Sequence, residues 1–183
     1  MLFVHNLRAV LLSVLFTTAL GSTSVQAADN PLYDWQPCPS SLGADGGAEP
    51  AKKWDLTISP YTHHWSNNPE HKDVVLVAID EQLPGDRLCG ISFFTNSFGQ
   101  PSTYLYVGQR WNPLPSDDKL FLKVTAGVLY GYVGVYRNKV PLNHNGFSPA
   151  VIPSLGYMFT RTDSAQVLLL GTAGIMVAYG HRF

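Results

Sequence analysis

The chain has 183 residues and carries 12 basic against 13 acidic side chains, which gives a formal net charge of −1. This length suits one domain rather than two. The balanced charge and the lack of any basic run in the sequence exclude nucleic acid as an expected partner.

The first 27 residues have the composition of an export signal. His5 and Arg8 flank a short polar start, residues 9–20 are almost entirely apolar, and a stretch of small or modest residues ends at Ala27. Small residues at that end fit a cleavage site, and the apolar core is too short to span a membrane as a helix. We expect residues 1–27 to be a signal peptide that is removed on export.

Residues 28–53 read as an irregular periplasmic lead-in, because four prolines interrupt any helix there. Cys38 lies in this lead-in, and Cys89 lies in the periodic part that follows. An even pair of cysteines in an exported protein permits a disulfide bond, but the sequence leaves that bond undecided.

From residue 54 onward the chain consists of short runs rich in β-branched and aromatic residues, separated by clusters of Gly, Pro, Asn and Asp. Such runs predict strands joined by turns rather than helices. We predict eight strands over residues 54–65, 73–82, 87–96, 102–111, 119–132, 147–159, 165–170 and 174–183. An even set of antiparallel strands with no helix to cover it must close its sheet, either as a sandwich or as a barrel, and we predict a barrel over residues 54–183.

The last predicted strand indicates where this barrel resides. Its large apolar residues share one face, its small residues share the other, and it finishes at the aromatic Phe183. This pattern is typical of outer-membrane barrels, in which the final aromatic residue is the signal for the barrel assembly machinery. Aromatic residues near strand ends fit the girdles of such barrels: Trp54, Trp65, Trp111, Tyr132 and Tyr157.

We therefore predict an all-β protein, an eight-stranded antiparallel outer-membrane β-barrel of a Gram-negative bacterium. A soluble lipocalin-like barrel, with the same aromatic residues in its core, is the alternative.

Polar side chains from distant segments are predicted to meet at one end of this barrel. If both termini are periplasmic, the first and third strands end on the outer side and bring His63 and His64 beside Asn96 and Ser97. A serine becomes a nucleophile when an adjacent base takes its proton and a third group holds that base. Ser97, a histidine and Asn96 have the residue types for these roles. The competing interpretation is ordinary turn chemistry, since Asn and Ser are common turn residues.

Four short segments share a pattern with one known family: residues 54–64 (WDLTISPYTHH), 94–98 (FTNSF), 125–128 (TAGV) and 149–157 (PAVIPSLGY). Together they resemble the outer-membrane lipid A palmitoyltransferases (PagP). The resemblance matches the catalytic histidine of the family to His64 and its catalytic serine to Ser97. Asn96 stands where the family has an aspartate. An asparagine can orient an imidazole but cannot offset the positive charge that develops on it.

The choice between the two histidines is open. Strict alternation along the first strand groups His63 with the polar residues that should face the lumen, whereas the resemblance selects His64. A bulge at Pro60 would shift the register, so both histidines are candidates.

The resemblance implies that an acyl chain is transferred from a phospholipid donor to lipid A of the lipopolysaccharide. This ester exchange requires no metal and no cofactor. Pro149 and Pro153 donate no ladder hydrogen bonds and should loosen one strand from its neighbour. The resemblance implies that the donor acyl chain enters sideways through that gap.

Two other functions fit the same sequence. A non-catalytic barrel would bind or pass a small ligand, since eight strands leave room for no more than that. A lipid A deacylase or another esterase would use the same serine and histidine with water as the acceptor.

Overall fold

A computed structural model describes residues 36–43, 50 and 53–183; the predicted signal peptide and most of the lead-in lie outside this part of the chain. Residues 53–183 contain eight strands: β1 Trp54–His64, β2 Leu76–Leu83, β3 Arg87–Thr95, β4 Pro101–Trp111, β5 Leu120–Tyr130, β6 Phe147–Met158, β7 Asp163–Leu169 and β8 Gly174–Arg182. Each strand pairs antiparallel with the next, and β8 pairs with β1, so the sheet closes into a barrel.

The predicted fold is confirmed, and each strand begins and ends within three residues of its predicted bounds. Short 3-10 turns lie at Ser40–Gly43, Pro84–Asp86 and Gly134–Lys139. None of the helical turns in the described residues is long and apolar enough to span a membrane.

Alternation along the strands produces an apolar outer surface and a mixed lumen. In β8, Met176 and Ala178 are buried in the lumen, whereas Val177 and Tyr179 are exposed on the outside. Aromatic residues cluster at the strand ends on the outward surface, where Trp65, Trp111 and Tyr157 are exposed as predicted.

Two residues predicted for the aromatic girdles lie elsewhere. Tyr132 is half-buried and lines the lumen. Trp54 is only 3% exposed. Trp54 pairs with Glu81 and Glu81 pairs with Cys89. Cys38 forms a disulfide with Cys89 across this row.

The disulfide therefore ties the lead-in to the barrel wall, which decides the question that the sequence left undecided. The backbone N–H of Cys38 also donates to Oε2 of Glu81 at 2.9 Å. Glu81 in turn pairs with Nζ of Lys53 at 3.5 Å.

A polar layer fills the middle of the lumen. Asp80 is 1% exposed, accepts a hydrogen bond from the Tyr106 hydroxyl, and pairs with Nζ of Lys123 at 3.3 Å. Gly90 makes room for this cluster, because a Cβ there would lie 2.3 Å from Oδ1 of Asp80. This layer closes the barrel below the outer end, which we define as the end that carries the loops after β1, β3, β5 and β7.

Candidate active site

Ser97 and His64 meet at the outer end of the barrel. Nε2 of His64 lies 2.7 Å from Oγ of Ser97. His64 is the last residue of β1, and Ser97 lies in the turn after β3. At this distance a neutral imidazole is placed to accept the serine proton, which is the requirement for a serine nucleophile.

A bulge in β1 selects His64 over His63. The pairing of β1 with β8 shifts by one residue between Ile58 and Tyr61, at the proline predicted to disturb the strand. A one-residue shift sends every later side chain to the opposite face. The expectation from strict alternation, that His63 faces the lumen, is therefore wrong. His63 is exposed, and its ring packs edge-on against Trp65.

Asn96 belongs to the turn and does not contact His64. Its Nδ2 donates to the backbone oxygen of Gly131 at 3.2 Å and to Oε1 of Gln100 at 3.3 Å. Its Oδ1 accepts the backbone N–H groups of Phe98 and Gln100, both at 3.0 Å. These four contacts use both donors and both lone pairs of the amide. The predicted role of Asn96 as the group that orients the histidine is thus not supported, and turn chemistry describes its side chain.

Two neighbours of the pair were not predicted from the sequence. The ring of His71 packs against that of His64 at a tilt of 33°, with the ring centroids 4.2 Å apart. Tyr132 lines the same cavity as Ser97, and its ring packs edge-on against Phe98. Burial raises the pKa of Tyr132, while the polar groups of Ser97 act in the opposite direction. No sequence motif marks either residue, because both lie in loops that tertiary contacts position.

An apolar cavity of about 310 Å³ extends from Ser97 down to the polar layer, which it meets at Tyr106 and Lys123. Its volume lies at the lower end of the range of about 300–1,000 Å³ that is typical of ligand pockets. One wall is a buried cluster of apolar side chains: Val74, Leu76, Ala78 and Met176, with Phe94, Leu168 and Leu170 packed against them. The cavity can therefore hold a hydrocarbon chain whose polar end stays near Ser97.

The wall of this cavity is incomplete between β6 and β7. Residues 154–158 of β6 pair with residues 164–168, but in the described structure residues 147–153 have no ladder partner on the β7 side. The same residues remain paired with β5 on their other side. Pro153 is the first residue beyond the ladder, and Pro149 lies within the unpaired segment. Both sides of this gap line the cavity, through residues 149–152 and 170–173.

The comparisons with known proteins bear on the fold alone. No protein-family model matches the chain, and no curated protein does. Among solved structures, the chain is similar to a barrel from work on the de novo design of transmembrane β-barrels. The TM-score is 0.53 at 10% identity, over 75% of this chain and 100% of the designed one.

Two natural barrels are also similar. The N-terminal barrel domain of Pseudomonas aeruginosa OprF gives a TM-score of 0.42 at 15% identity, over 72% of this chain and 96% of that one. The outer membrane protein Ail of Yersinia pestis gives a TM-score of 0.41 at 13% identity, over 72% of this chain and 99% of that one. The chain thus has the fold of an eight-stranded transmembrane β-barrel of the outer-membrane type.

Proposed function

We propose that the protein is an acyltransferase of the Gram-negative outer membrane, similar to the lipid A palmitoyltransferases, that moves an acyl chain from a phospholipid to lipid A. The observation that carries this proposal is the 2.7 Å contact between Nε2 of His64 and Oγ of Ser97 at the top of an apolar cavity. A nucleophile–base pair beside a hydrocarbon-sized cavity suits ester exchange on a lipid.

The chemistry requires only these two side chains and the two lipids. His64 takes the proton of Ser97 while Oγ bonds to the ester carbonyl carbon of the donor. The tetrahedral intermediate expels the alkoxide of the lysophospholipid, which takes the proton from His64. A hydroxyl of lipid A then gives its proton to His64 and attacks the acyl-serine, and His64 returns a proton to Oγ as the ester of the product forms.

The gap between β6 and β7 supplies a route for the donor. Pro149 and Pro153 carry no N–H to extend the ladder, so the unpaired part of β6 can separate from β7 at low cost. An acyl chain that enters here from the outer leaflet arrives directly in the cavity, because residues on both sides of the gap line it.

Basic residues beside the pair suit the phosphate groups of the acceptor. Nζ of Lys139 lies 5.2 Å from the centre of the Phe98 ring, next to Ser97 in the chain. Lys72 follows His71, and its backbone N–H donates to the backbone oxygen of Ser97 at 2.8 Å. Arg137 lies two residues before Lys139 in the same outer loop.

The experiment is a lipid A profile by mass spectrometry after expression in a host that lacks acyl-modifying outer-membrane enzymes. We expect lipid A with one added acyl chain, lost in Ser97→Ala and His64→Ala and retained in the control His63→Ala. If the wild-type barrel is present in the membrane and the lipid A profile is unchanged, the proposal is contradicted and a non-catalytic ligand-binding barrel is favoured. Loss of an acyl chain from lipid A would instead identify a deacylase.

A further inference from the structure

We propose that His71 is a positioning residue, whose ring holds the imidazole of His64 in the orientation that lets Nε2 take the proton of Ser97. The inference rests on the proposed function, in which Ser97 is the nucleophile and His64 is its base. It assigns to a side chain in the loop after β1 the orienting role that a third group fills in a serine triad.

Hydrogen bonding alone does not orient the base. Nε2 of His64 is 2.7 Å from Oγ of Ser97, but in the part of the chain that the structure describes Nδ1 of His64 has no hydrogen-bond partner. The amide of Asn96 donates to Gly131 and Gln100 instead. In a serine triad, a group bonded to the second ring nitrogen holds the imidazole in place. Here a different kind of contact must fix the plane of the ring.

The ring of His71 supplies that contact. It packs against the ring of His64 with the centroids 4.2 Å apart and a tilt of 33° between the planes. Rotation of the His64 ring about its Cβ–Cγ bond would drive the edge of one imidazole into the face of the other. The contact therefore restricts the ring plane of His64, while the hydrogen bond to Ser97 sets the distance between base and nucleophile.

Other rings hold His71 itself. Its ring packs edge-on against Phe98, the residue after Ser97, with the centroids 5.7 Å apart and the planes at 71°. Phe98 in turn stacks on Tyr136 in the loop after β5, at 4.4 Å and 15°. Edge-to-face and stacked arrangements are the favoured geometries of aromatic pairs. A row of rings from two other loops therefore supports the side chain that packs on His64.

Backbone hydrogen bonds fix the loop after β1 in the same place. The N–H of His71 donates to the backbone oxygen of Asn68 at 3.0 Å, and the N–H of Glu70 donates to Oδ1 of Asn68 at 3.0 Å. The N–H of Lys72 donates to the backbone oxygen of Ser97 at 2.8 Å. Two consecutive residues thus contact both members of the pair, since His71 packs on the base and Lys72 bonds to the nucleophile.

The test measures kcat and KM for hydrolysis of a p-nitrophenyl fatty-acid ester by the purified, refolded full-length barrel. His71→Ala removes the supporting ring, and a misplacement of about 1 Å can cost about 10²-fold in rate. We therefore expect kcat to fall by about 10- to 100-fold while KM stays near the wild-type value. His71→Phe restores a flat ring and should recover most of the lost kcat. The matched control is His144→Ala, which removes an exposed ring from the loop after β5 and should leave both constants unchanged.

A double variant separates positioning from a general structural role. If His71 acts only through His64, its removal has no further effect once the base is gone. His64→Ala/His71→Ala should then have the same kcat as His64→Ala, whereas effects of independent origin would multiply. The heat-dependent gel shift verifies the fold of every variant, and His71→Gln, which has no ring, replaces His71→Ala if the alanine variant does not fold.

Four results would overturn the inference: a wild-type kcat in His71→Ala, a change confined to KM, a folded His71→Phe as slow as His71→Ala, or a further loss in the double variant. Ser97→Ala is measured in parallel. If Ser97→Ala retains activity, the proposed function fails. An inactive Ser97→Ala beside a fully active His71→Ala contradicts only the role of His71.

Discussion

The imidazole of His64 faces Ser97 because a bulge near the end of β1 reverses the inside–outside alternation of the strand. The register of β1 against β8 shifts between Ile58 and Tyr61, and the lumen side passes from the odd-numbered to the even-numbered residues. The contact of 2.7 Å between Nε2 and Oγ thus depends on a backbone irregularity and not on the histidine pair alone.

The two adjacent histidines should respond differently to substitution. His64→Ala removes the base, and general-base catalysis is typically worth about 10²- to 10⁴-fold in rate. His63→Ala removes only an exposed ring that packs on Trp65, so its acyl-transfer rate should match the wild type. Acyl-transfer rates of the two purified variants in detergent show which histidine is the base. A larger loss in His63→Ala than in His64→Ala would show that the bulge does not direct the site.

Restoring the aspartate of the resembled family at position 96 should not raise activity. Asn96→Asp loses the Nδ2 donors to Gly131 and Gln100 and places a carboxylate against two acceptor oxygens. Unsatisfied buried groups cost about 1–3 kcal/mol each, so the free energy of unfolding should fall in Asn96→Asp and in the control Asn96→Ala. Urea titration and transfer rates check both effects. A faster Asn96→Asp enzyme would mean that this side chain reaches His64.

Closing the gap between β6 and β7 should block access of the donor. Ile152 and Leu170 both line the cavity, and continuing the β6–β7 register would pair them two rungs beyond Ser154 and Leu168. Oxidation of Ile152→Cys/Leu170→Cys should therefore abolish acyl transfer, and reduction should restore it.

The matched control is Ser154→Cys/Leu168→Cys, which joins the last pair already in the ladder and should leave activity unchanged on oxidation. Wild-type protein treated with the same reductant accounts for the native disulfide. Full activity of oxidised Ile152→Cys/Leu170→Cys, with the cross-link verified by mass spectrometry, would rule out this gap as the donor route.

The disulfide between the lead-in and β3 should stabilise the barrel without serving catalysis. Cys38 and Cys89 are 51 residues apart in sequence. Closing a loop of this length lowers the entropy of the unfolded chain by an amount worth about 4 kcal/mol in the chain-entropy model. Cys38→Ser/Cys89→Ser should lose about that much free energy of unfolding in urea while keeping its transfer rate, and reductant should no longer affect it. Equal urea midpoints for the double variant and the wild type would show that the disulfide does not stabilise the barrel.

The barrel was predictable because its information is local and repeated. The alternation in β5 and β8 fixes which side chains face the lumen, and the turn residues between strands fix the strand count. Placing His64 and Ser97 at one end then follows from strand order alone, because both lie at the ends of odd-numbered strands.

The finer parts of the site were not predictable, since they depend on tertiary contacts. Alternation from the start of β1 selects His63, and only the observed pairing with β8 reveals the shift. The sequence places Asn96 beside Ser97, but a hydrogen bond to Gly131 from the next hairpin turns its amide away from the histidine. Tyr132 looked like a girdle residue, because its position just beyond β5 resembles an interfacial one.

The most direct test of the account is transfer of a labelled acyl chain from phosphatidylcholine to lipid A by the purified barrel, with wild type compared with Ser97→Ala. We predict labelled product from the wild type and a loss of at least about 10³-fold in Ser97→Ala, with the heat-dependent gel shift of a folded barrel in both. Equal rates in the two folded proteins, or no transfer by either, would contradict the assignment of Ser97 and His64 as the acyl-transfer pair.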